Sequence, residues 1–209
     1  MLKQISIILV LCAATIVSWP VAANQEGFPH EIIQTAANSI AGELKGRKDY
    51  LNENRGELYA LINAILVPHF DMRYAGRLAL GKHWKPATND QRDRFIDAFY
   101  EFLLQSYANG VLKFNEDAFV VHPVEAGADD KRAVVKTDMR MDDGSRVPVN
   151  YSMRKSSAGW RVYDVRIEGV SYIQNYRNQF NAEISALGID AVIERLQSET
   201  NKSGASTES

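Results

Sequence analysis

The segment RAVVKTDMRMDDGSRVPVNYSMRK, residues 132–155, decides the fold class of this chain. Apolar and polar side chains alternate along residues 132–140 and again along residues 146–155, and that period of two predicts a pair of half-buried β-strands. The sequence Asp142-Asp143-Gly144 stands between them, where a hairpin turn belongs. The second strand has an apolar and a polar face: Val147, Val149, Tyr151 and Met153 against Arg146, Asn150, Ser152 and Arg154. The segment therefore predicts an antiparallel hairpin with one buried face.

The flanking sequence extends this hairpin to four strands. Residues 118–124 and 160–168 are the further strand candidates, and Ser156-Ser157-Ala158-Gly159 supplies a turn before the last strand. Val162 and Tyr163 are adjacent large side chains in that strand, which predicts a β-bulge or a strong twist. We therefore expect a four-stranded antiparallel meander.

Helical periodicity replaces the alternation on both sides of the meander. Residues 29–43 and 55–66 place apolar side chains at the i, i+3, i+4 spacing of an amphipathic helix. Thr88 and Gln91 have the spacing of a capping box, which predicts a helix that runs on to residues 109–110. Helices resume after Gly169 and end with a short amphipathic one near residues 189–196. Helices, then a meander, then helices is the order of an α+β fold.

The helix that follows Thr88 has a wide apolar surface. Its large apolar side chains are Phe95, Ile96, Phe99, Phe102, Leu103, Leu104 and Tyr107. A surface helix usually buries a stripe about 100° wide, and these positions cover more than that. Either the helix is buried nearly all round, or one flank faces a core and another faces something apolar that is not protein.

The two ends of the chain indicate export and a tail. Lys3, the apolar run of residues 5–17 and the small residues before position 24 predict a signal peptide, residues 1–23, cleaved after Ala23. Residues 198–209 have no large apolar side chain and predict a disordered tail. Residues 24–197 then form a single domain without cysteine, since Cys12 is removed with the signal. The net charge of −2 gives no electrostatic reason for nucleic-acid binding, and an exported chain of this kind is expected in the periplasm.

The stretch of residues 67–84 is rich in polar side chains and raises the question of catalysis. His69 and Asp71 are candidates for acid–base chemistry in a small isomerase or hydrolase that acts on an apolar substrate. The four histidines of the chain share no metal-ligand spacing, so no metal is expected. The structural alternative is a helix that Pro68 begins, with Asp71 in its first turn, where a negative charge complements the helix dipole.

An ordered series of short motifs resembles the MlaC, or toluene-tolerance, family of periplasmic phospholipid-binding proteins. The motifs lie between residues 32 and 196: Leu66-Val-Pro-His-Phe70, Tyr74-Ala-Gly-Arg-Leu-Ala-Leu-Gly81, Trp84-x-x-Ala87-Thr88-x-x-Gln91-Arg92, Phe95-x-x-Ala98-Phe99, Glu168-Gly-Val-Ser-Tyr-Ile173, Asn175-Tyr-Arg-Asn-Gln-Phe180 and Gly188-Ile-Asp190. No single motif is decisive, but their order is specific to the family.

The resemblance implies a non-enzymatic lipid carrier. It implies helices packed on a curved four-stranded antiparallel sheet, NTF2-like in general shape, around an apolar lipid cavity. It implies no cofactor beyond the phospholipid cargo, and a monomer that shuttles lipid between an outer-membrane lipoprotein–porin complex and an inner-membrane ABC transporter with an MCE-domain subunit. Such transport maintains the lipid asymmetry of the outer membrane.

Sequence pattern suggests which residues would serve such a carrier. The acyl chains are expected against Phe95, Phe99, Leu103, Tyr107, Val149, Tyr151 and Met153. Contact with the head group or with a partner is expected from Arg73, Arg166 and Arg177. The exposed basic residues of the sheet, Arg146, Arg154 and Arg161, are candidates for electrostatic steering or for a plain solvated face.

Overall fold

The computed structural model describes residues 27–124, 131–141 and 144–205. The signal peptide expected at residues 1–23 lies outside these residues. The helices before the sheet are Pro29–Leu44 (α1), Lys48–Glu53 (α2), Arg55–Ile65 (α3), Met72–Leu80 (α4) and Asn89–Leu112 (α5). The strands are Phe119–Val121 (β1), Arg132–Arg140 (β2), Arg146–Ser156 (β3), Gly159–Ile167 (β4) and Val170–Ser171 (β5). The helices after the sheet are Tyr172–Leu187 (α6) and Ile189–Ala205 (α7).

The sheet is a curved antiparallel meander in the order β1-β2-β3-β4-β5, so the predicted α+β fold is confirmed. The sequence predicts four strands; the fifth is a two-residue strand paired with Arg166 and Ile167. β1 ends at Val121, earlier than predicted. The amide of His122 still donates to the carbonyl of Lys136 at 3.0 Å. The next amide that could bond β2 is that of Val124, since alternate residues face the partner strand, and it donates instead to Nδ1 of His30 at 3.3 Å.

The bulge predicted in β4 is present at Tyr163. Ser152 faces Asp164 and Met153 faces Val162, so Tyr163 has no residue opposite it. The bulge changes the face on which the following side chains lie relative to simple alternation along the strand. It explains how the adjacent residues Val162 and Tyr163 can both be accommodated, with Val162 fully buried at 0% exposure.

Three groups of apolar side chains form the interior. The sheet cluster has Ile33, Val135, Met153 and Val162 at its centre, with Ile32, Phe70, Phe119, Val121, Val124, Tyr151, Trp160 and Val165 packed around them. The aromatic cluster joins α4, α5, α6 and α7 around Phe95, Phe99, Tyr176 and Phe180. The α1–α3 cluster joins those helices to α5 through Ile40, Leu44, Leu51, Leu58, Ile62, Leu104 and Ala108.

Helix α5 is the wall that two of these clusters share. Its capping box forms as predicted, because the Gln91 amide donates to the Thr88 hydroxyl at 3.1 Å and the Thr88 amide to the Gln91 side chain at 3.1 Å. Phe95 and Phe99 point into the aromatic cluster, while Leu104 and Ala108 point into the α1–α3 cluster. Packing on protein along two flanks accounts for the width of its apolar surface.

The expectation of a disordered tail from Ser198 is wrong for residues 198–205, because α7 continues to Ala205. Polar side chains stabilise this last part of the helix. Arg195 pairs with Glu199 at 3.0 Å, and the Thr200 hydroxyl donates to the Leu196 carbonyl at 2.9 Å. Residues 206–209 lie outside the described part of the chain.

Candidate functional site

The apolar face of the sheet is the first candidate site. Cross-strand pairing places Val135 and Val165 on either side of Tyr151, and Met153 lies two residues further along β3. Val135 and Met153 are both 0% exposed and Val149 is 8% exposed. The face predicted from alternation in β3 is therefore the one turned towards the interior.

Tyr151 occupies an unusual position on this face. Burial raises the pKa of its hydroxyl to about 12, yet the side chain is only partly buried. Part of the Tyr151 side chain is thus left uncovered by its neighbours on the apolar face of the sheet. Most members of the sheet cluster are likewise only partly buried, whereas most members of the aromatic cluster are fully buried. The sheet side of the interior is thus the less closely packed part.

Phe95 and Phe99 lie elsewhere, in the buried aromatic cluster. They are 0% and 1% exposed. The ring of Phe99 lies 5.6 Å from that of Phe95, 5.1 Å from Tyr176 and 5.3 Å from Phe180, measured between ring centroids. The contacts with Tyr176 and Phe180 are edge-to-face, an arrangement that aromatic rings favour. Neither ring has free space beside it for a ligand.

Leu103 and Tyr107 continue the same flank of α5 away from the sheet. Leu103 packs on the aromatic cluster. Tyr107 is 41% exposed, with its hydroxyl 2.9 Å from that of Tyr176 and its ring edge-on to Tyr172. Burial and the bond to Tyr176 raise the pKa of Tyr107. The structure therefore places Phe95, Phe99, Leu103 and Tyr107 with the aromatic cluster, and Tyr151 and Met153 with the sheet cluster. That all seven predicted residues line one lipid pocket stays a prediction.

The sequence interpretation missed several residues of the sheet cluster. Val135 and Val162 face Tyr151 and Met153 from the neighbouring strands, and Ile33 of α1 covers them. The alternation of apolar and polar side chains in residues 132–140 could have predicted that Val135 faces the interior. No local pattern indicates which helix lies over the sheet, since the contact between Ile33 and the strands spans about half of the chain.

An open cleft of about 490 Å³ brings together two of the three predicted arginines. Arg166 of β4 and Arg177 of α6 both line it, with the amides of Gln174, Asn175 and Asn178. The wall also contains Asp164, whose carboxylate accepts from the Ser171 hydroxyl at 2.8 Å and the Ile173 amide at 3.1 Å. The same carboxylate, in a residue that is 6% exposed, also lies 3.5 Å from Nε of Arg166 as an ion pair. Of the two guanidinium groups in the cleft, that of Arg177 has no ion pair with another described residue.

Arg177 lies across the end of α4. Gly81 follows that helix with φ +53°, and a Cβ on Gly81 would lie 2.7 Å from Nε of Arg177. Only glycine combines this backbone conformation with such a close guanidinium. The Leu80-Gly81 motif thus has a structural reason, which is to leave room for Arg177.

Arg73 is not part of this cleft. Its guanidinium pairs with Asp93 at 2.7 Å and lies 5.8 Å from the ring centroid of Trp84. Among the three arginines predicted from sequence, Arg73 is therefore the one already engaged with α5.

Asp71 has structural contacts that account for its presence. It is the N-cap of α4, and its side chain accepts a hydrogen bond from the Tyr74 amide at 2.9 Å. Its second oxygen lies 3.1 Å from Nε of Arg154. This contact is an ion pair but not a hydrogen bond, because the N–H is not aligned with the oxygen. Pro68 lies in a 3₁₀ turn before this helix, so the expectation that Pro68 begins the helix is wrong. Burial, and secondarily the charge of Arg161, lower the pKa of His69.

The described residues contain no group of histidine, cysteine or carboxylate side chains arranged to hold a metal ion. Within the same ranges, none of the helices has the length and apolarity needed to span a bilayer. Fold and site together define a class: a small α+β protein whose curved sheet turns an apolar, loosely packed face towards a helix, with a basic cleft at the far end of the sheet.

Comparison with known proteins gives the family. The family model described as "MlaC protein" matches residues 34–198, and the chain belongs to this family. The toluene tolerance protein ttg2D of Pseudomonas putida is 29% identical over 184 residues, which cover 88% of this chain and 83% of that protein. The intermembrane phospholipid transport system binding protein MlaC of Haemophilus influenzae is 22% identical over 178 residues, covering 84% and 83%.

A solved structure has the same fold. It is the phospholipid-binding protein from Ralstonia solanacearum in complex with a phospholipid, with a TM-score of 0.76 and 26% sequence identity. The match covers 85% of this chain and 99% of that one. The resemblance inferred from the motifs is confirmed.

Proposed function

We propose that this protein is a periplasmic phospholipid carrier without enzymatic activity. The observation that carries the proposal is the fold shared with a protein solved in complex with a phospholipid, at 26% identity and over 99% of that chain. Export through the signal peptide of residues 1–23 and a monomeric state are parts of the same proposal. The name of the Haemophilus relative, which speaks of intermembrane phospholipid transport, supports it.

We propose that acyl chains enter the space that Tyr151 borders. Each CH₂ group left in water costs about 0.8 kcal/mol, so a carrier needs an enclosed apolar site. The sheet cluster offers Tyr151 and Met153 on one wall and Ile32 and Ile33 on the other. Val149, 8% exposed, lies on the same face of β3 as Tyr151 and Met153. We propose Phe95, Phe99, Leu103 and Tyr107 of α5 as further lipid contacts; their contacts in the structure are with the aromatic cluster.

We propose that Arg166 and Arg177 contact a phosphate head group or an acidic group of a partner. Guanidinium groups match phosphate and carboxylate oxygens in pairs, and the cleft of about 490 Å³ leaves both arginines accessible. Arg73 belongs to the same proposal. Its pairing with Asp93 must first open, as must the longer pairing of Arg166 with Asp164.

Membership of the MlaC family supports a proposal for the partners. We propose exchange of cargo with an outer-membrane lipoprotein–porin complex and with an inner-membrane ABC transporter that has an MCE-domain subunit, in support of outer-membrane lipid asymmetry. Binding to both must be transient, because cargo is handed over twice.

The decisive experiment is mass spectrometry of organic extracts of the purified mature protein. We expect phospholipid in stoichiometric amount, and uptake of labelled phospholipid by delipidated protein. Tyr151→Glu places a carboxylate in the apolar interior and is expected to abolish uptake, while Tyr151→Phe retains it. A folded protein that carries no lipid and takes none up contradicts the proposal.

The enzyme alternative is tested by replacing its candidate residue. His69→Ala removes the acid–base group and leaves the N-cap of α4 in place. We expect unchanged lipid uptake in this variant, as a carrier requires. Hydrolysis or isomerisation of a bound lipid by the wild type, lost in His69→Ala, would favour the enzyme.

A further inference from the structure

Three arginines stand side by side across the polar face of the sheet. Arg132 of β2 is directly opposite Arg154 of β3, which is directly opposite Arg161 of β4. Neighbouring strands lie about 4.8 Å apart, and like charges in directly opposite positions destabilise a sheet. The fold therefore carries an unfavourable charge row that its own stability does not require.

The described residues neutralise little of this row. Asp71 pairs with Arg154 at 3.1 Å. Arg132 donates to the hydroxyl of Tyr74 at 3.4 Å and Arg161 to the carbonyl of Trp160 at 3.0 Å, both neutral acceptors. One carboxylate thus serves three guanidinium groups, and the outer two members of the row have no ion pair with any residue of the described ranges.

Tyr74 holds the cluster in a fixed arrangement. Its ring centroid lies 4.5 Å from the guanidinium carbon of Arg154 and 5.9 Å from that of Arg77. Cation–π contacts of this kind orient a guanidinium without neutralising it. Arg77 of α4 therefore joins the row as a fourth positive charge, and the cluster is preorganised rather than spread by side-chain flexibility.

Among the described residues, this face carries two more arginines. A second like-charged pair, Arg140 opposite Arg146, stands at the other end of β2 and β3. Of the carboxylates on the face, Asp138 pairs with His122 at 2.8 Å, and Asp164 is buried at 6% exposure. The whole chain has a net charge of −2, so positive charge is concentrated here and not distributed evenly.

We propose that this arginine face docks the protein on anionic phospholipid head groups at a membrane surface. Arginine matches phosphate oxygens in pairs, and each basic side chain close to an anionic leaflet strengthens adsorption about five-fold.

A protein partner is the less suitable occupant, because specific protein interfaces are built around buried aromatic or aliphatic anchors. Among the described residues of β2, β3 and β4, one large apolar side chain is exposed on this face, that of Val134 at 50%. The proposal rests on the charge row and is independent of the proposed cargo function.

The test measures how much mature protein sediments with vesicles of phosphatidylcholine, with and without phosphatidylglycerol. The variant is Arg132→Gln/Arg161→Gln, which spares Arg154 and its ion pair. We expect wild-type binding only to vesicles that contain phosphatidylglycerol, weakened as salt shortens the screening length from about 10 Å at 0.1 M. The variant is expected to partition about 25-fold less strongly, from two charges at about five-fold each.

Two controls separate the face from net charge and from folding. Lys45→Gln/Lys113→Gln removes the same charge from exposed positions at the ends of α1 and α5 and is expected to change partitioning less than about two-fold. Arg132→Lys/Arg161→Lys keeps the charge and is expected to retain most of the binding. Three results would overturn the proposal. The first is an equal loss of binding in the lysine-to-glutamine control, and the second is undiminished binding of the arginine-to-glutamine variant with an unchanged melting curve. The third is a wild type that shows no preference for phosphatidylglycerol. The last result would leave an acidic protein surface as the occupant of the face.

Discussion

Replacing Phe99 by Leu is expected to lower the stability of the fold and leave lipid uptake intact. Phe99 is 1% exposed and contacts three other aromatic rings at centroid distances of 5.1–5.6 Å. A pocket wall at this position would give the opposite result, since a changed wall alters ligand binding before it alters folding. The substitution thus distinguishes the packed core position seen in the structure from the lipid-contacting position expected from the sequence.

The magnitude follows from what the leucine cannot replace. Truncation of a buried phenylalanine to alanine costs about 3–5 kcal/mol, a large part of a total stability of about 5–15 kcal/mol. Leucine restores most of the volume, so the remaining loss comes from the edge-to-face contacts and imperfect packing, about 1.5 kcal/mol. The variant should therefore stay folded at room temperature.

The assay combines urea unfolding with phospholipid analysis of the same preparations. We expect a lower unfolding midpoint with an unchanged slope, and the wild-type amount of lipid per protein. Tyr151→Glu provides the converse, because it should lose lipid in a protein that is still folded, as its urea unfolding curve will show. Loss of lipid from a Phe99→Leu protein whose unfolding midpoint is unchanged would refute the assignment of this residue to the packed core.

Three further predictions concern local structure. Thr88→Ala removes one half of the capping box of α5 and should cost about 1 kcal/mol in urea unfolding. Gly81→Ala forces alanine to φ +53° against the Arg177 guanidinium and should lower the free energy of unfolding by about 2 kcal/mol. Gly110→Ala is the control that should not be destabilised, because nothing lies within 4 Å of the new Cβ. The folded-state pKa of His69 is lowered by burial, so the unfolded chain binds the proton more readily. The contribution of the neutral His69 to stability is therefore complete above about pH 6.5, the pKa in the unfolded chain, and is lost as the pH drops below that value towards the lower pKa of the folded state. His69→Gln should reduce this acid sensitivity in thermal melts at a series of pH values.

The elements were largely predictable because their signals are local. Alternation in residues 132–140 and 146–155 gives β2 and β3, and the capping box at Thr88 gives the start of α5. The 3₁₀ turn around Pro68 was not predictable in the same way, because a proline suits both a helix start and a turn. Here the amide of Asp71 donates to the carbonyl of Val162 at 2.8 Å, and that distant contact delays the helix until Met72.

The candidate site was predictable only in part because the partners of α5 are distant in sequence. The apolar width of the helix indicated more than one neighbour, but periodicity does not say whether the neighbour is lipid or protein. The rings that pack on Phe95 and Phe99 belong to α6, about 80 residues later. The cleft of Arg166 and Arg177 likewise forms because the short turn at Glu168 and Gly169 brings the start of α6 back against β4.

The sheet is inserted in sequence between two halves of one helical body. α5 precedes the meander and α7 follows it, yet these two helices pack together extensively, as do α4 and α6. A protease cut in the β2–β3 connection therefore leaves two fragments that are still joined through a shared aromatic interior and through the paired strands. We expect the nicked protein to migrate as one species under native conditions and as two under denaturing ones. Fragments that are produced separately are expected to reassemble into the folded protein when mixed.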